Sequence, residues 1–166
     1  MDHEYLKNLL NYCPETGVFT WATRRKGTKG IGSIAGVVLN SGYRQIMIDG
    51  KSHSAHRLAF LWMTGNFPKK HVDHINGVRA DNRWNNLREA SPGENQQNRA
   101  MMKNNTSGFT GVSWSNGDRR WQASIQVDRK PKHLGFFDTA EVAAEAYIAA
   151  KSRLHTFQPT IREDGL

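Results

Sequence analysis

Apolar and polar residues change their spacing several times along the chain, and each change predicts an element. Residues 2–12, DHEYLKNLLNY, set Tyr5, Leu6, Leu9 and Leu10 at helical spacing, which predicts a short amphipathic helix. Turn chemistry follows at Pro14 to Gly17 (PETG), then a strand over Val18 to Trp21 (VFTW). From Gly36 to Ile48 apolar and polar residues alternate around a Ser41-Gly42 turn. Asp49-Gly50 supplies a second turn, so a meander of short strands is expected. His56 to Met63, HRLAFLWM, then places Leu58, Leu61 and Trp62 on one helical face, with Gly65 as C-cap and Pro68 preventing continuation.

The pattern changes character at His71. HVDHI reads as a strand, NGVRADNRWN as a loop and NLREA as a returning strand. Ser91 as N-cap, Pro92 at the first helical position and Glu94 three residues after the cap make a capping box. On that helix Asn95 falls in the first turns, and Asn98 and Arg99 are expected on the same side. Asp73, His74, Asn82, Asn85, Asn86, Asn95 and Asn98 are costly to bury without partners, so this density marks a polar site and not a core.

Residues 100–107 are polar and patternless, a linker candidate. Beyond them FTGVSWS, RWQASIQV and HLGFF predict three antiparallel strands. In the middle one Trp121, Ala123, Ile125 and Val127 face one way and Gln122, Ser124 and Gln126 the other. DTAE at 138–141 reads as a second capping box opening a helix whose Ala143, Ala146, Ala149 and Ala150 permit close approach to the sheet.

Composition adds a partner. The 166 residues carry 23 Lys and Arg against 15 Asp and Glu, a net charge of +8 that favours an anionic partner, nucleic acid first, over simple solubility. Arg24, Arg25, Lys26 and Lys29, in a Gly-rich loop, are either a solvated face or phosphate contacts. The single cysteine, Cys13, excludes an internal disulfide and a cysteine-based zinc site, consistent with a reducing cytoplasm. His53 and His56, then His71 and His74, repeat an HxxH spacing. A zinc reading of it is disfavoured for want of cysteine, and His53 and His56 are assigned to the helix start or to DNA contact. There is no signal peptide or long apolar run.

The stretch DHINGVRADNRWNNLREASPGENQQN resembles the HNH nuclease motif in the form found in phage homing endonucleases, and the similarity extends over about residues 5–99. The resemblance implies a ββα-metal unit in which His74 is the general base and Asn86 ties the loop and helps orient that base. It further implies that Asp73 and Asn95 hold one Mg²⁺ or Mn²⁺ per active site. Asn95 stands where many members have His; an amide oxygen still suits such an ion. Products with 5′-phosphate and 3′-hydroxyl ends follow from the same resemblance.

The C-terminal elements GV, W-x-A-x-I, LG-x-F and AA-x-AY resemble the ethylene-response-factor DNA-binding domain of plants over about 108–157, in which a three-stranded sheet enters the major groove. Where the plant domains use arginines, this chain has Thr110, Ser113, Ser124, Gln126 and His133. Trp114, Arg119, Arg120 and Gln122 complete the expected DNA face there, and Arg79, Arg83, Arg88 and Arg99 the phosphate contacts near the nuclease motif.

The expectation is thus an α+β chain: a nuclease domain over 1–99, a linker over 100–107 and a DNA-binding domain over 108–160. It would be a site-specific, homing-type endonuclease on double-stranded DNA, cutting one or both strands. It would be cytoplasmic, with no small-molecule cofactor and no membrane attachment; the oligomeric state is left open, with a monomer favoured. The alternative is a non-catalytic, sequence-specific DNA-binding regulator; filled positions throughout the motif weigh against it.

Overall fold

The computed structural model describes residues 1–102, 104–158 and 161. Its α+β chain forms two compact units, Met1–Ala90 and Ser91–Leu166.

In the first unit α1 spans His3–Leu9, capped by Asp2, whose side chain accepts from Tyr5 N. The expected helix over 2–12 stops there. Leu10 is already extended (φ −130°, ψ 151°), and β1 (Leu10–Cys13) pairs antiparallel with β2 (Val18–Trp21). The reason lies in burial: Leu10 and Tyr12 go inward while Asn11 and Cys13 stay out, a period of two that a helix cannot provide. The meander appears as β3 (Val37–Val38), β4 (Arg44–Ile48) and β5 (Lys51–Ser54), in the order β3-β4-β5. Next comes α2 (Ala55–Thr64), ended by Gly65 in the left-handed region (φ 76°). β6 (His71–His74) and β7 (Leu87–Ala90) then pair antiparallel, with a short 3₁₀ turn over Trp84–Asn86 between them. Leu6, Leu10, Phe19, Ile46, Leu58 and Leu87 belong to one core, so α1, β1–β2, β4, α2 and β7 share a single apolar interior.

The second unit opens with α3 (Pro92–Gln97), whose capping box at Ser91 and Glu94 forms as expected. The helix is six residues long and ends at Asn98, so Asn98 and Arg99 do not continue the face that carries Asn95. β8 (Val112–Ser115), β9 (Arg120–Val127) and β10 (Lys130–Phe137) form an antiparallel sheet in the order β10-β9-β8. It packs on α4 (Ala140–Leu154). The α4 N-cap is Thr139, accepting from Val142 N. That places Glu141 at the second helical position, one short of a capping box, and Asp138 instead meets Arg120. The stripe facing the sheet is Ala140, Ala143, Ala144, Tyr147 and Ala150, with Ala149 exposed. Gly111 (φ 75°) lies so close to the Tyr147 ring that a Cβ would stand 2.2 Å from it. Within the expected linker, Asn105 and Ser107 side chains bond to Phe109 O and Val112 O, an ordered turn, while Lys103 lies outside the described residues. Pro159 and Thr160, the last two residues of the expected C-terminal domain, also lie outside them. Among the described residues no helix is long and apolar enough to cross a membrane.

Candidate active site

In the β6–β7 pair Asp73 stands opposite Arg88 and His74 opposite Leu87. Both members of the Asp-His pair are buried, 6% and 4% exposed, at the strand end where a core position would ordinarily be apolar. The imidazole is held: His74 Nε2 lies 3.1 Å from Asn82 Oδ1. Asn82 is itself 1% exposed, and its Nδ2 donates to Ala80 O at 3.2 Å, which orients the amide. An amide oxygen only accepts, so Nε2 carries the proton and Nδ1 is the basic nitrogen.

The N-terminal hairpin clamps the backbone behind Asn82. Tyr12 Oη donates to Asn82 O at 2.7 Å and Trp84 N to Pro14 O at 2.9 Å. A Cβ on Gly17 (φ 71°) would come within 2.3 Å of the Asn82–Arg83 peptide, so only glycine lets the PETG turn approach.

Asn86 works on the loop. Its Oδ1 accepts from Asn76 N at 2.9 Å, and its Nδ2 donates to Asn76 Oδ1 (2.9 Å) and Asp81 O (2.8 Å). It therefore closes the loop as expected, while the imidazole is bonded by Asn82, four residues earlier. Sequence reasoning ranked Asn82 only among the costly amides; the surplus of asparagines in the loop was the available signal.

Three of the four arginines expected on phosphate are engaged within the protein. Arg83 makes a bidentate pair with Asp81 (Nε 2.8 Å, Nη2 2.6 Å). Arg79 donates to Ser41 O at 2.9 Å with its guanidinium 5.1 Å from the Tyr43 ring centroid. Arg88 gives both Nε and Nη2 to Asp73 Oδ2 at 2.9 Å. Arg88 thus serves the Asp73 carboxylate, as a half-buried guanidinium opposite a buried carboxylate on the facing strand pairs with it.

Burial, the largest influence, pulls the His74 pKa below the ordinary histidine value, against the Asn82 bond and the nearby Asp73. His56, expected at a helix start or on DNA, is buried in the first turn of α2. Its ring centroid is 5.2 Å from that of His74, nearly edge-on, and 5.3 Å from Tyr43. Burial, and then the charges of His74 and Arg57, push its pKa down to about 4. An unfolded chain takes up a proton at His56 below the ordinary value of 6.5, whereas the folded chain resists until about 4. Stability should therefore be constant above pH 6.5 and decline as pH falls toward 4, by up to about 3 kcal/mol from this group. Denaturant titrations at pH 7.5 and 4.5 measure it, and His56→Leu should flatten the dependence.

Asp73 supplies a carboxylate and Asn95 an amide, both hard oxygen donors of the kind Mg²⁺ and Mn²⁺ accept. Among the described residues no group of three or more His, Cys, Asp or Glu side chains gathers. Mg²⁺ keeps much of its water and needs few protein oxygens. Asn95 is exposed on α3, in the second unit.

Residues 53–97 match the family model described as HNH endonuclease. Over 90 residues the chain is 37% identical to Protein 3.8 of Escherichia phage T7, covering 52% of this chain and 74% of that protein. The chain belongs to the HNH endonuclease family. It is accordingly an enzyme, a hydrolase of DNA phosphodiester bonds, with a phage relative. Among solved structures it is similar to that titled "DNA binding and cleavage by the HNH homing endonuclease I-HmuI", at 17% identity and a TM-score of 0.45, over 93% of this chain and 90% of that one.

In the second unit of this HNH endonuclease the expected DNA face is divided. Ser113 pairs with Gln122 and His133 with Ser124, so these four share the side of the sheet away from α4. Trp114 pairs with Trp121 instead, with ring centroids 5.3 Å apart. It therefore lies on the same side of the sheet as Ala123, and it is 45% exposed. Arg120 is on the outer side but paired with Asp138 at 2.6 Å. Gln126 accepts from Gln96 Nε2 at 2.7 Å. Arg119 sits at positive φ (51°) in the exposed β8–β9 turn; Arg99 is exposed beyond α3, and Thr110 is half-buried before β8.

Proposed function

We propose that this HNH endonuclease is a metal-dependent, site-specific enzyme of the homing type, cutting one or both strands of duplex DNA to 5′-phosphate and 3′-hydroxyl ends. The observation that carries the reading is the buried His74 with its Nε2 bonded to Asn82, which leaves Nδ1 as the base. His74 Nδ1 takes a proton from water, the oxygen of that water forms a bond to phosphorus as the P–O3′ bond breaks, and the departing 3′ oxygen takes up a proton from solvent, leaving 5′-phosphate and 3′-hydroxyl ends. Asn82 fixes the ring, and Asn86 keeps the loop closed around Asn82. Asp73 and Asn95 would hold one Mg²⁺ or Mn²⁺, which when bound supplies Lewis-acid stabilisation of charge at the phosphate and the leaving oxygen. Residues 1–99 form the nuclease part in this reading. The 108–160 part resembles the ethylene-response-factor module and binds duplex DNA through Ser113, Gln122, Ser124 and His133, with Arg99, Arg119 and Thr110 at its margins.

A plasmid nicking assay with and without Mg²⁺ tests the activity; absence of cutting with the ion present sinks it. Asn82→Ala should lower the cleavage rate by about 10- to 100-fold at unchanged duplex affinity, since the base loses its orientation and tautomer. Equal single-turnover rates for that variant and the native enzyme would remove Asn82 from the mechanism. Replacing Gln122 or Ser124 by Ala should weaken site preference by about 1–3 kcal/mol at one or two base pairs if either makes a base contact. Cleavage-site profiling of a randomised target library reads this directly.

A further inference from the structure

α3 ought not to be stable on its own account. It is six residues long, PGENQQ, has no apolar side chain beyond Pro92, and contains no buried residue. Isolated helices far longer than this are marginal in water, and most helices in proteins are held by an apolar face that α3 lacks. Its N-terminus has the Ser91–Glu94 capping box; its C-terminus is held by the rest of the second unit.

The hold is polar and specific. Lys151, on α4, is only 4% exposed, and its Nζ donates to Gln97 O, a last-turn carbonyl of α3, at 2.7 Å. The same ammonium lies 3.4 Å from His155 Nδ1, and His155 Nε2 donates to Gln126 O on β9 at 2.8 Å. That sequence of donors and acceptors is consistent with one tautomer, a neutral His155 accepting at Nδ1. Gln97 Oε1 accepts from Phe157 N (3.2 Å) and Gln158 N (3.3 Å), and Gln96 Nε2 donates to Gln126 Oε1 (2.7 Å). Burying a lysine is costly, and burial lowers its pKa to about 8. A solvated lysine would serve solubility at no such cost. A buried one aimed at the carbonyl end of a helix neutralises an orphan acceptor and complements the helix dipole.

We propose that Lys151, Gln97 and His155 are positioning residues through which the C-terminal unit holds α3, and with it Asn95, in place for the nuclease reaction. The C-terminal unit is then a brace for the catalytic apparatus as well as a DNA-binding module. This rests on the proposed role of Asn95 as a metal ligand.

The test uses the full chain with Lys151→Met, which keeps the aliphatic stem and removes the donors. Gln97→Ala is the second variant, at a position on α3 where loss of the α4 core is not at issue. Amide hydrogen exchange over residues 93–98, without metal or DNA, should speed up by about tenfold or more in both, with exchange in β8–β10 unchanged. Mn²⁺ affinity, measured by titration calorimetry without DNA, should fall by about tenfold in both, as should apparent Mg²⁺ affinity in cleavage, with duplex affinity retained. Lys151→Arg should restore part of each. Native exchange rates over 93–98 in both variants overturn the brace. Native Mn²⁺ affinity in both, where Asn95→Ala weakens it, overturns the positioning role. If Asn95→Ala itself binds Mn²⁺ natively, the metal-ligand reading has failed, and the proposal that rests on it goes too.

Discussion

His74→Ala should reduce the cleavage rate by about 10²–10⁴-fold and leave duplex affinity unchanged. The side chain is 4% exposed at the end of β6, so its truncation removes little surface that a duplex could touch. Its Nε2 is bonded to Asn82, so the substitution removes the ring that the loop holds in place. The acid limb of the native pH–rate profile carries a second signature. Burial lowers the His74 pKa, so the imidazole stays unprotonated to lower pH than a solvated histidine. The rate should be level through neutrality and fall only below the ordinary histidine range, as the proton blocks Nδ1. Single-turnover rates with enzyme in excess, taken from pH 5 to 8, separate this step from binding. Substantial cutting by His74→Ala across that range would remove it as the base.

Chelation by EDTA should abolish cutting reversibly, and Asp73→Asn should lower the rate by about 100-fold at millimolar Mg²⁺, with partial recovery at higher Mg²⁺ or with Mn²⁺. Asn keeps the shape and one acceptor for Arg88, so the loss reports on the charge offered to the ion. Asp73→Ala should in addition destabilise the fold by roughly 2 kcal/mol or more, because both Arg88 donors, at 2.9 Å, lose their acceptor in a largely buried pair. Comparing the two variants by denaturant titration and by Mg²⁺ dependence divides the structural from the catalytic share. Full activity in EDTA would exclude the metal altogether.

Much of the fold was written locally. Ser91, Pro92 and Glu94 specify a helix start by hydrogen bonds to residues one turn away, and Gly65 specifies a stop by tolerating positive φ. The alternation in RWQASIQV depends only on the two-residue period of a strand, and its buried Ala123 and Ile125 follow from it. The Asp73-His74 pair and the closing Asn86 were legible because such polar residues have no reason to be buried other than the site they build.

Tertiary structure decided what local chemistry left equal. The first helix yields to a strand at Leu10, because pairing with β2 buries Leu10 and Tyr12 together, and β2 lies outside the stretch 2–12 whose spacing reads as helical. Which asparagine bonds the His74 imidazole, Asn82 over Asn86, depends on the N-terminal hairpin: Tyr12 and the close approach at Gly17 fix that stretch of loop across some 70 positions of sequence. For the arginines at 83, 88 and 120, charge alone does not name a partner within the fold. Folding brought Asp81, Asp73 and Asp138 to them. The fate of α3 is the plainest case. Its six residues, four of them polar, specify a start and no packing face, so its support had to come from Lys151, Phe157 and Gln158, more than fifty residues on, placed there only when β9 and α4 fold.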